Sequence, residues 1–326
     1  MISFQEALNL VDQAVLKIKY PKHPDKLYAP IRYLLSMKGK RIRPVLTLLA
    51  YNLYEEDNKI ESVLSPALAW EIFHNFTLMH DDVMDNADMR RSQPTVHNVW
   101  DENTAILSGD AMLILAYQHI SKTSSLYLKQ LLELFSATAA EICEGQQYDM
   151  DFEMRIDVSE EEYLRMIRLK TAVLLGAALK TGAVLGGASN EDAENIYDFG
   201  VNIGLAFQIK DDLLDVYGDP AVFGKNIGGD ILCNKKTYLL VNALSCANKE
   251  DKESLLNWIT TNDCLKEEKV NAVISLYDKI GIKEIAESKI TYFYQQALTS
   301  LDKLQPEKEK KQILYEFSER LMRREW

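Results

Sequence analysis

No two of the four cysteines, Cys143, Cys233, Cys246 and Cys264, stand close enough to form a C-x-x-C pair, so the spacing offers neither a zinc knuckle nor a disulfide framework. Reduced, mostly structural thiols are expected. Long apolar runs are missing as well. The most apolar stretch, AVLLGAALKTGAVLGG from Ala172, is broken by Lys180, and a membrane-spanning helix needs roughly 20 apolar residues. The opening MISFQEALNLVDQ has no basic leader, and Glu6 and Asp12 interrupt it, so it does not read as a secretory signal. A soluble, cytoplasmic protein without stable membrane insertion is the expectation. Positive charge is in short supply: 37 Lys and Arg against 49 Asp and Glu leave a formal net charge of -12. Such a surface repels a phosphate backbone except at a local basic patch, so nucleic acid is not an expected partner. No segment has the composition of a linker, and the charged KEKKQ at Lys308 is the one biased tract.

What the chain does have is helical spacing of apolar residues along nearly every long segment. Ser65 before Pro66 reads as a cap followed by a first helical residue, and Ser159 with Glu162 has the form of a capping box. Turn chemistry concentrates at Pro21 to Pro30, Arg91 to Pro94, Gly186 to Asn190, Gly218 to Pro220, Gly224 to Gly229, and Gln305-Pro306. That punctuation predicts about ten or more helices, no sheet, and one all-α domain over residues 1–326.

Two aspartate-rich words stand out in this frame. HDDVMD carries Asp81, Asp82 and Asp85, and DDLLD carries Asp211, Asp212 and Asp215; each closes a long apolar helix. Residues four apart on a helix lie one above the other, so Asp81 shares a face with Asp85 and Asp211 with Asp215, flanked by Asp82 and Asp212. Carboxylates at this spacing repel and raise one another's pKa unless a counter-ion intervenes. Magnesium suits the position: it is a hard cation commonly held by one or two carboxylates plus waters and substrate phosphates. One such word is often only a solvated helix end; two, each followed by basic residues, suggest facing walls of one diphosphate site. MKGKRIRP places Lys38, Lys40, Arg41 and Arg43 just before a helix start at Pro44, Arg90-Arg91 follow the first acidic word, and Lys225 and Lys235 follow the second. Arginine forks grip phosphate bidentately and lysine acts as a point charge. Arg41 and Lys236 are expected to be surface charges only.

With these residues in view, the sequence closely resembles the trans-isoprenyl diphosphate synthases, the polyprenyl synthetase family. The motifs run in family order from GKRIRP at Gly39 through HDDVMD, RRSQPTVH at Arg90, GQQYD at Gly145, KT at Lys170, FQIKDDLLD at Phe207 and GKNIGGD at Gly224 to KKT at Lys235. The resemblance implies the all-α isoprenoid synthase fold around a central cavity, magnesium as cofactor and a homodimer. It implies that Asp81, Asp85 and Asp211, with Asp82 and Asp215, hold magnesium on an allylic diphosphate (dimethylallyl, geranyl or farnesyl). Arg90, Lys170, Lys225 and Lys235 would contact that diphosphate, and Lys40, Arg43, His74 and Arg91 would hold isopentenyl diphosphate. Thr171 and Gln208 would lie beside the allylic carbon. The implied chemistry is ionisation of the allylic C–O bond, alkylation of the isopentenyl double bond and loss of a proton. His74 also fits by geometry, two helical turns before Asp81. The sequence departs from the family pattern at Lys38-Gly39 for a double glycine, Ser92 for a common glycine and Asn234 for glycine before Lys235. Whether Arg323 or Arg324 of the terminal RREW reaches the site is left open.

The helix that ends at the first acidic word should line the tunnel for the growing tail. On an ideal wheel Thr77 lies about 6 Å upstream of Asp81, Phe76 about 7.5 Å toward the flank, and Trp70 returns to the face at about 16 Å. The resemblance favours Phe76 as the stop, with Thr77 leaving room beside it, and a fifteen- to twenty-carbon product with twenty favoured. Two rivals remain: a class I terpene cyclase, which would need no isopentenyl pocket, and a non-catalytic partner subunit, which could lose its aspartates freely.

Overall fold

A computed structural model of the chain describes residues 2–55, 59–218, 227–261 and 265–323. Its helices are α1 (Phe4–Leu16), α2 (Asp25–Ser36), α3 (Ile42–Tyr54), α4 (Glu61–Met84), α5 (Val96–Val99), α6 (Glu102–Ile120), α7 (Ser125–Glu153), α8 (Glu160–Ile167), α9 (Val173–Leu185), α10 (Asn190–Tyr217), α11 (Gly229–Leu232), α12 (Tyr238–Cys246), α13 (Lys249–Thr260), α14 (Lys266–Ile280), α15 (Ile282–Asp302) and α16 (Lys308–Arg323). The all-α expectation holds. Among the described residues the strands are β1 (Met89–Arg90) and β2 (Gln93–Pro94), an antiparallel pair that turns the chain back after α4. Among the helices beyond the expected ten, α5 and α11 are four-residue pieces, too brief to show a period in the sequence. No helix among the described residues is long and apolar enough to cross a membrane.

Local signals explain most boundaries. The Ser159 hydroxyl accepts from the Glu162 amide while the Glu162 carboxylate accepts from the Ser159 amide, the expected capping box of α8. Two proline readings need correction. Helix α4 begins at Glu61, a turn before Ser65, and Pro66 lies inside it. Ser65 is instead used across the helix interface, where its hydroxyl donates to the His119 carbonyl of α6 at 3.0 Å. Pro30 likewise falls inside α2 rather than in a loop. In each case the ring occupies the sixth helical position and is buried, so packing compensates for the one ladder bond that proline forfeits.

Two apolar clusters make up the interior. One gathers α1, α3, α4, α6, α9 and the first half of α10; the other gathers α8, α12, α14 and α15 around the second half of α10. The 28-residue α10 therefore runs through both. Between α4, α7, α9 and α10, where side chains do not meet, lies the cavity described next. The thiols differ from expectation: Cys143, Cys233 and Cys246 are free and exposed rather than structural, and Cys264 lies outside the described residues.

Candidate active site

A cavity of about 530 Å³ opens between the C-terminal ends of α4 and α10, with α7 and the start of α9 as its other walls. Asp81 of α4 and Asp211 of α10 both line it, so the two acidic words stand across one space as their duplication suggested. Asp85 caps the end of α4 and Asp215 lies one turn below Asp211. One carboxylate oxygen of Asp215 accepts from the Asp230 amide at 2.9 Å, which fixes the turn leading to Lys235.

The middle aspartate of each word faces elsewhere. Asp82 is 2% exposed, and Arg90 clasps it through Nε at 2.9 Å and Nη2 at 2.5 Å. Asp212 is buried and accepts from the Tyr163 hydroxyl at 2.5 Å and the Tyr238 amide at 2.8 Å. Both brace the wall from behind. The structure thus brings Asp81 and Asp211 to the cavity wall, keeps Asp85 and Asp215 off its lining, and pairs Asp82 with Arg90.

Burial pushes the Asp81 carboxyl up to about 6, and Asp85 adds to the rise while Lys170 opposes it. An ionised Asp81 is therefore short of positive charge. Among the described residues no three His, Cys, Asp or Glu side chains converge on one metal position. The donor set is nonetheless all hard oxygen, and a small divalent ion that takes one or two carboxylates and completes its shell with phosphate oxygens fits it.

Lys170 and Thr171 reach the cavity from an unusual backbone. Residues Arg168–Ala172 form a π-turn between α8 and α9, a widened turn often found at functional sites. It is packed so closely on α7 that a Cβ on Gly145 would lie 2.3 Å from the Lys170 amide nitrogen. The Lys170 ammonium is held by Asp149 of α7. Asp149, Lys170, Thr171, Gln208, Asp212 and Lys235 also line a smaller adjoining cavity of about 90 Å³. Desolvation pulls the Lys235 ammonium down, but Asp230, Asp149, Asp212 and Asp85 outweigh it and hold its pKa above the ordinary lysine value. Lys225 lies outside the described residues.

The second cationic group assembles from three segments. Arg43 of α3 and His74 of α4 line the main cavity with Arg90. Arg91 folds its guanidinium over Gly39, where a Cβ would sit 2.9 Å from Arg91 Cζ, and Lys40 follows, exposed, on the same loop. Arg43 Nε and Arg91 Nη1 are buried with no hydrogen-bond partner among the described residues. Buried donors left in this state await an acceptor. Burial lowers His74 well below the usual histidine range, and Arg43, Arg91, Arg90 and Arg41 lower it further. His74 is thus neutral at physiological pH.

The departures from the family pattern now have a physical reading. Ser92 and Asn234 have φ of +62° and +54°, the left-handed region that glycine enters at no cost and asparagine tolerates. The Asn234 side chain also accepts from Lys269 at 2.8 Å, which holds the turn before Lys235. Two surface readings are overturned. Arg41 is 5% exposed and ion-paired to Glu71 at 2.7 Å, and Lys236 is buried with its ammonium on the Glu153 and Asn234 carbonyls at 3.2 Å. Asp149, Glu71, Tyr163 and Gln146 escaped the sequence reading. GQQYD was a visible signal for Asp149 and Gln146, whereas nothing local marks Glu71 or Tyr163. Arg323 lies in the last turn of α16 and does not line the cavity; Arg324 is outside the described residues.

The apolar end of the cavity is lined by Phe76, Thr77, Ile142 and Leu174. Behind Phe76 the rings form a plug: Phe73 at 5.5 Å from Phe76, Phe135 at 5.3 Å from Phe73, and Trp70 at 4.9 Å from Phe135. Trp70 does not reach the cavity wall. It is fully buried in the core, where its indole donates to Thr181 at 3.0 Å.

An all-helical shell that opposes two acidic helix ends across a cation-lined, apolar-floored cavity defines the class of the prenyl synthases. The polyprenyl synthetase family profile matches residues 24–277, and the chain belongs to that family. It is 44% identical to a geranylgeranyl diphosphate synthase of Methanosarcina mazei over 74% of each chain. It is 34% identical to a geranylfarnesyl diphosphate synthase of Natronomonas pharaonis over 98% of this chain and 96% of that one. A crystal structure of a geranylgeranyl pyrophosphate synthase superposes with a TM-score of 0.93 at 42% identity, covering 99% of both chains.

Proposed function

We propose that this protein is a short-chain trans-prenyltransferase that condenses isopentenyl diphosphate with an allylic diphosphate to give chiefly the twenty-carbon product. The observation that carries the reading is the opposition of Asp81 and Asp211 across a cavity that Arg43, Arg90 and Lys170 also line. Magnesium, held by these carboxylates, would supply positive charge that makes diphosphate a better leaving group. Asp81, Asp85 and Asp211 are the residues that would hold it, with Asp215 in support. Lys170, released from Asp149, and Lys235 face the same diphosphate, and Arg90 contributes what Asp82 leaves uncompensated. The Thr171 hydroxyl and the Gln208 amide oxygen point their dipoles at the carbon that becomes positive as the C–O bond breaks. Lys40, Arg43, His74 and Arg91 hold isopentenyl diphosphate, whose double bond attacks that carbon. The intermediate cation then loses a proton to the departed diphosphate. Neither a cyclase nor a silent partner subunit needs the second cationic group, and its orphaned guanidinium donors favour condensation over both.

Incubating the purified chain with magnesium, isopentenyl diphosphate and each allylic primer in turn tests the reading. Prenyl diphosphates that lengthen by five carbons are expected. Cyclised hydrocarbon, or no turnover with any primer, would refute it.

Gly39→Ala provides a sharper check on the isopentenyl half. The new methyl would displace the Arg91 guanidinium, so KM for isopentenyl diphosphate should rise about tenfold in steady-state kinetics at saturating primer, with kcat little changed.

We also propose a homodimer joined through α6. Ile106, Leu107 and Ile114 are 44%, 60% and 58% exposed on that helix, and Leu107 and Ile114, seven apart, share one face. Apolar residues in this arrangement mark an association surface. Leu107→Glu with Ile114→Glu should give a monomer by light scattering, against a wild-type dimer.

A further inference from the structure

Beneath the cationic half of the site lies a buried carboxylate to which that reading gives no task. Glu71 of α4 is 2% exposed, three residues before His74 and ten before Asp81. Its Oε1 accepts from Arg41 Nη1 at 2.7 Å and from Asn75 Nδ2 at 2.8 Å. Asn75 also donates to the Glu71 carbonyl one turn back, so the carboxylate is clamped to its own helix.

Arg41 is the other end of the tie. It sits at the N-terminus of α3 with φ of +46°, a left-handed conformation that a non-glycine residue adopts only under constraint. Its Nη2 donates to the Leu35 and Met37 carbonyls at 2.7 and 3.1 Å, and its Nε reaches Asp12 at 3.3 Å. One guanidinium therefore ties the end of α2, the loop through Gly39 and Lys40, the start of α3 and the flank of α1 to a single acid on α4. Lys40 and Arg43 lie on either side of Arg41, and Arg91 rests on Gly39 in the same loop.

We propose that Glu71 is a positioning residue for the isopentenyl diphosphate half of the site: through Arg41 it fixes the loop and helix start from which Lys40, Arg43 and Arg91 converge. The inference rests on the prenyltransferase reading and adds a residue that does not itself touch substrate. Two effects of Glu71 oppose each other. As an anion it weakens the attraction of the neighbouring guanidinium groups for diphosphate; as an anchor it holds those groups in place. Glu71 is the leading carboxylate acting on both Arg43 and Arg91, so the electrostatic effect is real. The anchor dominates because a buried guanidinium stripped of its buried anionic partner has to leave its pocket, and the loop moves with it.

The test is kinetic, with thermal melting alongside. Glu71→Gln keeps an acceptor and removes the charge; Arg41→Lys keeps the charge and loses the fork; Asn75→Ala loosens the clamp without touching either ion. Each should raise KM for isopentenyl diphosphate, about tenfold for the first two and two- to fivefold for Asn75→Ala, while KM for the allylic primer and kcat stay within threefold of wild type. Calorimetric titration of isopentenyl diphosphate alone should show the same loss of affinity. A fall in KM for isopentenyl diphosphate would show the electrostatic effect winning and overturn the inference. So would equal changes in both KM values, or a lower Tm with neither KM altered. If Glu71→Gln does not fold, Asn75→Ala carries the same comparison. Wild-type protein that fails to condense the two diphosphates overturns the underlying reading as well, whereas normal wild-type turnover with unshifted variants overturns this inference alone.

Discussion

Asp81→Asn will lower turnover by about a thousandfold or more while making the metal-free protein more stable at pH 8. Both halves follow from one feature. Burial raises the Asp81 carboxyl to about 6, so above that pH the empty fold must hold an ionised group that the unfolded chain would hold at less cost. The ordinary aspartate value is 3.8, and the gap corresponds to on the order of 2–3 kcal/mol. The sign is that of a raised acid: the penalty is absent below about pH 4, where Asp81 is protonated in both states, grows between pH 4 and 6, and is complete above. Asparagine removes it. Melting curves of the two proteins should therefore coincide near pH 4 and separate at pH 8, with the variant higher. The catalytic loss has the same origin, since the uncompensated charge is what a divalent ion and a diphosphate would neutralise. A variant that keeps near-normal turnover would exclude Asp81 as a ligand, and a variant less stable than wild type at pH 8 would show that Asp81 is already compensated.

Phe76→Ala will shift the product to longer chains by one or two five-carbon units. Phe76 lines the end of the cavity, and Phe73, the next ring, stands 5.5 Å behind it. Truncation deepens the space by about one ring and exposes a second aromatic wall of Phe73 and Phe135. Extension should therefore stop early rather than run on. Chromatography of products made from radiolabelled isopentenyl diphosphate reads this directly, and an unchanged distribution would remove Phe76 as the floor. Trp70→Ala is the control. Trp70 joins the ring plug through Phe135 and does not line the cavity, so its loss should cost about 3–5 kcal/mol of stability and leave product length alone. The wall behind Phe76 is built of tilted and edge-to-face rings, which small substitutions could move.

Much of the site was legible because its chemistry is written locally. Asp81 with Asp85 and Asp211 with Asp215 lie four apart, and helical geometry alone puts each pair on one face. His74 and Thr77 follow from the same wheel, Phe76 was favoured as the stop by the family resemblance, and the capping box at Ser159 was read correctly. The failures have one cause: a wheel shows which way a residue points and not what it meets. On the wheel Asp82 and Asp212 read only as residues on the flank of each acidic face, and nothing local shows that Arg90 in one case, Tyr163 and Tyr238 in the other, lie beside them. Arg41 looked like a surface charge because its partner is 30 residues away on another helix. Ser65 looked like a cap because its partner on α6 is 54 residues away. The two internal prolines were misread for the same reason, since the packing that offsets their lost bond comes from distant segments.

The widened turn at Arg168–Ala172 has a consequence for how this stretch can vary. It accommodates extra backbone without breaking the run from α8 into α9, and it is this surplus that presents Lys170 and Thr171 to the cavity while Leu169 and Ala172 stay inside. Excising one residue would let the segment relax into an ordinary helix, and everything beyond the cut would rotate by about 100° relative to what precedes it. The chain could still bury its apolar side and remain folded, yet the lysine would be dialled away from its anion. A change of length here would displace both site residues at once, without any change in their identity.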